Sequence, residues 1–242
     1  MVFSDFLLVA GDLGSSLIAL DKEWLLAVNG SDSLFLDRMA KVLTTAITWL
    51  PMYLSLFFVV LHNNESVRKV IYVLLGAGLC VLLAGAVDDE IVKPLVARWR
   101  PTHDPEIGMQ VDIVNGYRGG NYGFFSAHAA NTFSIAVFFC WLIRSRVLSW
   151  ALVIWSLTNC WTRMYLGVHF PGDILVGLTW GFMVGSFSYF LYYRTTRKLS
   201  SSNRRFVSSK YTSTGYLLPD CDIPVAVLVF TLLYALIRSC IV

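Results

Sequence analysis

The stretch "VIYVLLGAGLCVLLAGAV", residues 70–87, carries no charge over eighteen positions. A run of that length and apolarity reads as a membrane-spanning helix, since about 20 residues at 1.5 Å rise cross the hydrocarbon core. Outward from it, comparable runs occur at 46–61, 132–143, 147–161, 174–193 and 223–242, and uncharged neighbours extend the shorter ones. The 242-residue chain is 56% hydrophobic and 14% charged, whereas about a quarter of an average soluble domain is charged. The expectation is an all-α, polytopic membrane helical bundle with about six transmembrane helices.

Residues 1–45 read as an interfacial N-terminal segment. They have no Lys or Arg before Lys22 and carry Asp5 and Asp12, so the basic start of a secretory signal is missing. Their later part interleaves charges with apolar positions in a helical rhythm, and the acidic interruptions argue against a seventh span. Residues 46–194 form the core helices, 195–222 a polar Ser/Thr-rich cytoplasmic linker, and 223–242 a C-terminal transmembrane helix read as packing or anchoring. Five Cys with no CxxC spacing read as small buried hydrophobes. The basic run 194–210 suits lipid headgroups and topology better than nucleic acid.

If the spans alternate, loops 62–69, 144–146 and 194–222 share one side. They hold ten of the nineteen Lys and Arg against three acids, leaving nine basic and thirteen acidic residues elsewhere. The positive-inside rule makes that side cytoplasmic and places 88–125, the turn at His169 and the N-terminal segment on the far face.

Three clusters fall on that far face. In "KPLVARWRP" (93–101), Pro94 suits the first position of a short helix and Pro101 its end, so Lys93 and Arg100 are expected on one helical face, two turns apart. Two such cations suit a phosphoryl group, although this pair alone is better read as snorkelling or headgroup-binding side chains. In "YRGGNYGFFSAHAANTF" (117–133), Ser126 stands at a helix cap, with free N–H groups at Ala127 and His128 available to an anion. Capping serines are common, so this too is weak by itself. In "TRMYLGVHFPGD" (162–173), Pro171 opens a helix and puts Asp173 near its third position, from which the carboxylate can reach back to His169. A His oriented through one nitrogen presents the other as base or nucleophile, with Arg163 as a further phosphate clamp. A purely structural Arg–Asp–His network is the alternative. Joint occurrence favours function, because ionisable residues at membrane depth are rare and usually functional.

Together these stretches resemble the type 2 phosphatidic acid phosphatase superfamily, whose pattern is K-x6-RP, PSGH and SR-x5-H-x3-D. Here it stands as "KPLVARWRP", "FSAH" and "TRMYLGVHFPGD", over about a third of the chain. Phe125, Ala127 and Thr162 depart from the pattern without removing a charged or imidazole group; Ala127 narrows backbone freedom, and Thr162 keeps a hydroxyl. The resemblance implies that His169 is the nucleophile, forming a phosphohistidine, with Asp173 orienting it. His128 would protonate the leaving oxygen and then help activate water. Lys93, Arg100, Ser126, Ala127 and Arg163 would bind the substrate phosphate, with no metal or cofactor required. The acidic triplet Asp88-Asp89-Glu90, the one cluster suggestive of Mg²⁺, reads instead as the water-facing end of the second span or as tuning Lys93. His62 and His103 read as surface residues.

The function implied is an integral-membrane lipid phosphatase, acting at the periplasmic face of a bacterial inner membrane on undecaprenyl diphosphate, a lipid A phosphate or phosphatidylglycerol phosphate. The alternative is an anionic-lipid transporter or flippase using the same basic site without chemistry, which the His–Asp turn and the second His disfavour. A haloperoxidase is disfavoured by the many spans. The partners implied are the lipid substrate and the bilayer, with no nucleic acid.

Overall fold

The computed structural model describes residues 2–197 and 209–241, with side chains from residue 14 onward in the first helix. Among the described residues the regular elements are helices, and the β-type pairings are two isolated bridges, Trp99 with Tyr122 and Tyr211 with Leu217. Helix α1 spans Val2–Val28 and α2 Leu34–Thr44, the latter capped by the Ser33 hydroxyl, which accepts from the Leu36 N–H. A 3₁₀ turn, Ala46–Trp49, leads into α3, Leu50–His62, at a bend of 69°. Residue 45, the expected end of an interfacial segment, thus falls at a bend inside an apolar pair of helices.

Helix α4, Val67–Val81, continues through two π-helical stretches into α5, Lys93–Val96. The helices α6, Ala127–Ile143, α7, Arg146–Tyr165, α8, Pro171–Thr196, and α9, Leu218–Ile241, complete the bundle. All six apolar runs, as far as the residues are described, lie in helices. By length and apolarity Val67–Val96, α8 and α9 can each cross a membrane, and the bent α2–α3 pair adds a fourth span if it counts as one. Helix α6 is shorter because it is the buried centre: eleven of its seventeen residues are buried, and it packs against α4, α7 and α8. A helix shielded by its neighbours need not match the hydrocarbon thickness by itself.

The tightest packing is between α6 and α8, and glycine permits it. A Cβ at Gly177, Gly181 or Gly185 would lie 2.7, 2.7 and 2.5 Å from the carbonyl oxygens of Ser126, Ala130 and Ser134. Small residues at every fourth position let two backbones approach in an apolar medium, where van der Waals contact drives association. The outer faces carry Leu54, Phe58, Leu75, Phe182, Phe187 and Phe230, all exposed, as lipid-facing positions require.

The two ends of the bundle differ. At one, His62 Nδ1 lies 2.6 Å from Asp220 Oδ2, Asn63 donates to the same oxygen, and Thr214 donates to the Ile143 carbonyl. His62 is exposed, as a surface residue, and has a partner there: the start of α9 brings Asp220 to it, a contact 158 residues distant in sequence. Lys198, Arg204 and Arg205, counted in the charge asymmetry, lie outside the described residues. The other end gathers the 97–125 loop, the 166–170 turn and the end of α1.

Candidate active site

The turn between α7 and α8 is closed by Gly167, which has φ +65° and a site where any Cβ would meet Val111 at 2.6 Å. A left-handed residue is needed there, and glycine adopts it without steric cost. The turn presents His169, 2% exposed. Asp173, at the third position of α8, accepts the Phe170 N–H through Oδ2 at 2.9 Å, the side-chain half of a capping box. Its backbone carbonyl accepts the Ser126 N–H at 3.1 Å. One residue therefore joins the third sequence cluster to the second.

Arg100 is placed otherwise than expected. The helix containing Lys93 ends at Ala97, which is left-handed (φ 48°), and Arg100 is extended at φ −70° and ψ 154°. The two cations do not share a helical face. Residues 98–100 run antiparallel to 121–123, with Arg100 N–H donating to Asn121 and Gly123 N–H to Arg98. This strand-like pairing carries Arg100 under the loop, where Gly119 and Gly123 close over it; Cβ atoms there would lie 2.6 and 2.9 Å from its side chain. Arg100 donates to the carbonyls of Tyr122 and Val168 at 3.1 Å each, and its Nη1 is 3.2 Å from His169 Nε2. Because guanidinium only donates, His169 Nε2 is the acceptor and carries the lone pair. The proton then sits on Nδ1, which lies 3.7 Å from Asp173 Oδ2 and has no hydrogen-bond partner. Asp173 is thus at ion-pair range of His169 rather than bonded to it.

Arg163, in the last turn of α7 and 3% exposed, donates to the Thr44 hydroxyl at 2.6 Å and the Tyr117 hydroxyl at 3.1 Å. Its Nε is buried without a partner, an arrangement that is costly unless a ligand supplies the acceptor. Lys93 Nζ is 2.7 Å from Asp88 and 2.5 Å from Asp89. Asp88 is fully buried, so the acidic triplet does not simply mark a water-facing end; its first member neutralises Lys93. Ser126 caps α6, its hydroxyl accepting from the Ala129 N–H at 3.4 Å, and Ala127 and His128 follow as the first helical residues. His128 lies within the field of Arg163, Arg100, Lys93 and His169, which brings all three clusters to one place. Burial first, and then the charges of Arg100, Arg163 and Lys93, push the His169 pKa well below its ordinary 6.5 and keep the ring neutral. The His103 ring pairs with the neighbouring Thr102 hydroxyl at 3.1 Å.

Four side chains escaped the sequence reading. Arg98 bonds Asp173 Oδ1 at 2.8 Å and Asp21 Oδ2 at 2.6 Å, with its guanidinium 4.3 Å from the Phe170 ring centroid. Asp21, on α1, also accepts the Gly172 N–H at 2.7 Å. Tyr117 and Thr44 hold Arg163. Arg98 was findable, since an extended 98–100 segment would send positions 98 and 100 to one side; nothing local marks Asp21, Tyr117 or Thr44.

Such a site, with three cations, a buried neutral His and a second His, suits phosphoryl transfer. A family model described as "PAP2 superfamily" matches residues 67–197. The chain is 40% identical over 184 residues to the lipid A 4'-phosphatase of Bacteroides thetaiotaomicron, covering 75% of this chain and 81% of that one. It is 31% identical over 205 residues to the lipid A 4'-phosphatase of Porphyromonas gingivalis, covering 84% and 86%. A transmembrane PAP2 type phosphatidylglycerolphosphate phosphatase from Bacillus subtilis has a similar fold, with a TM-score of 0.54 at 17% identity over 82% of this chain and 96% of that one.

Proposed function

The chain belongs to the PAP2 superfamily, and from that premise we propose that this integral-membrane lipid phosphatase removes a sugar-linked phosphomonoester from a lipid A type glycolipid, through a phosphohistidine on His169. The observation that carries the substrate is the likeness to two lipid A 4'-phosphatases over three quarters or more of the chain. The relatives named above are phosphatases, so the lipid-carrier reading is not retained.

In this reading the phosphate dianion enters between Arg100, Arg163 and Lys93 and takes donors now spent on Thr44, Tyr117, Asp88 and Asp89. Arg100 transfers hydrogen bonding from His169 Nε2 to a phosphoryl oxygen and frees the lone pair. Nε2 attacks phosphorus as the sugar oxygen departs with a proton from His128. The phosphohistidine is then cleaved by water that gives a proton to His128, releasing inorganic phosphate and neutral His169. The incoming dianion offsets the cations around His128, which favours the protonated form needed for the first step. Positioning and charge stabilisation supply most of such catalysis.

The test is inorganic phosphate release by the purified protein from a lipid A type 4'-phosphate, undecaprenyl diphosphate and phosphatidylglycerol phosphate, in parallel. Preference for the first is expected; equal or greater turnover of either other lipid removes the substrate assignment. We place the site on the periplasmic face, from the Lys and Arg asymmetry. Labelling of a cysteine at position 118 only from the cytoplasm would reverse that orientation.

A further inference from the structure

A cavity of about 930 Å³ lies outside the site just described, between α2, the start of α3 and α9. Its α9 wall presents Val227, Phe230, Tyr234 and Arg238, which recur at helical spacing on one face. Its α2 wall presents Arg38 and Lys41, and Ile47 and Pro51 continue the apolar lining. The cavity is asymmetric along its length. Val227 and Arg238 are eleven residues apart, about 16 Å along a helix. Helix α9 starts at the end where Asp220 meets His62, so Arg238 belongs to the end that carries the active site and Val227 lies towards the middle of the bundle.

No acid among the described residues balances these charges. Among the described residues neither Arg38, Lys41 nor Arg238 forms an ion pair with an acid; Arg238 bonds only the Tyr234 hydroxyl, at 2.5 Å. Three cations with no counter-ion among the described residues, at the interfacial end of an apolar slot, complement an anionic headgroup above an acyl chain. A neutral lipid would fill the slot but leave the charges unmet, and a zwitterionic one would bring a cation of its own beside them.

We propose that this cavity is a binding site for an anionic phosphate-bearing lipid, with an acyl chain against Val227, Phe230 and Pro51 and the headgroup phosphate held by Arg38, Lys41 and Arg238. The site is separate from the catalytic one but shares its wall. Thr45 and Asn115 line the cavity, while Thr44 and Tyr117, adjacent or nearly so in sequence, hold Arg163. The occupant is either a separate anionic phospholipid or a remote phosphate and acyl chain of the substrate itself; the chemistry recognised is the same. This inference does not depend on the identity of the hydrolysed lipid.

Native mass spectrometry of the full chain in detergent tests it, with phosphatidylglycerol and phosphatidylcholine of identical chains as probes. Phosphatidylglycerol is a phosphodiester and is not consumed by a monoesterase. The wild type should retain phosphatidylglycerol at least about tenfold better than phosphatidylcholine, a difference that corresponds to one extra charge-assisted contact. That preference should persist when orthovanadate fills the catalytic site. The charge-removing triple variant Arg38→Gln, Lys41→Gln, Arg238→Gln should lose the preference, and Val227→Trp, which leaves every charge in place, should lose retention by filling the slot. Equal retention of the two lipids, unchanged retention in both variants, displacement by orthovanadate, or displacement by inorganic phosphate alone would each overturn the proposal. Competition by a lipid A type substrate in the His169→Asn protein assigns the occupant to the substrate; its absence assigns a separate lipid, and both support the site. Phosphate release measured beside these titrations reports on the phosphatase reading independently.

Discussion

Arg100 Nη1 lies 3.2 Å from Nε2 of His169, in a pocket where Arg100 is 9% and His169 2% exposed. In the proposed reaction the guanidinium both fixes the lone pair on the attacking nitrogen and waits beside the position of a phosphoryl oxygen. His169→Asn should therefore reduce turnover to background, while Arg100→Lys, which keeps charge but loses the fork that also reaches Val168 and Tyr122, should cost about 10²–10³ in kcat. Turnover close to wild type in Arg100→Lys would show that the phosphate is held without it. EDTA should leave the wild-type rate unchanged, because Lys93, Arg100 and Arg163 meet the phosphoryl charge.

His128 should matter in proportion to how poor the leaving group is, since a general acid helps most where an oxygen cannot depart as an anion. His128→Ala should lose more kcat/KM on a lipid phosphomonoester than on a lipid diphosphate, and least on p-nitrophenyl phosphate. Uniform losses across the three would reduce this His to a phosphate-binding group.

Arg98 pairs with Asp173 and Asp21, and in the proposed reaction it is a positioning residue that acts through them. Arg98→Gln should lower kcat more than it raises KM, with partial recovery in Arg98→Lys. A double-mutant cycle with Asp21→Asn on kcat/KM should give a coupling of about 0.5–3 kcal/mol. Additive effects, or a loss confined to thermal stability, would make the bridge merely structural.

Gly177 and Gly78 form a contrast. A methyl at Gly177 would sit 2.7 Å from the backbone oxygen of Ser126, whereas one at Gly78 meets nothing within 4 Å. Gly177→Ala should displace the α6 cap and cost about tenfold to a hundredfold in kcat/KM, as small misplacements at a reacting centre do. Gly78→Ala should leave the rate unaltered. Similar rates in the two variants would mean that the α6–α8 approach does not set the site.

The buried neutral His169 predicts acid sensitivity. In the unfolded chain it binds a proton below its ordinary pKa of 6.5, and in the folded protein it does so only at much lower pH. The unfolded state therefore binds more protons as pH falls through 6.5, and stability drops by up to about 1.4 kcal/mol per pH unit from this group. His169→Asn removes that loss, so the Tm of the variant relative to wild type should rise as pH falls from 7 to 5 in phosphate-free buffer. A pH-independent difference would contradict a neutral, buried His169.

Sequence alone determined the helical membrane architecture, because apolar runs long enough to span hydrocarbon leave a bundle as the one way to satisfy their backbone. It also singled out candidates, since the polar side chains Lys93, Arg100, Ser126, His128, Arg163, His169 and Asp173 stand out against an apolar background, and the structure gathers them at one end. The tertiary structure decided their relationships. Local spacing put Lys93 and Arg100 on one helix, but pairing of 98–100 with 121–123 extended the chain and swung Arg100 to His169. Spacing also aimed Asp173 at His169, but the Phe170 N–H and Arg98 compete for its oxygens. Asp21, Tyr117, Thr44 and the Arg38–Lys41–Arg238 cavity depend on contacts between residues remote in sequence. Periodicity reports only the near neighbours of a residue along its own helix, whereas hydrogen bonds across the fold are fixed by how the helices pack.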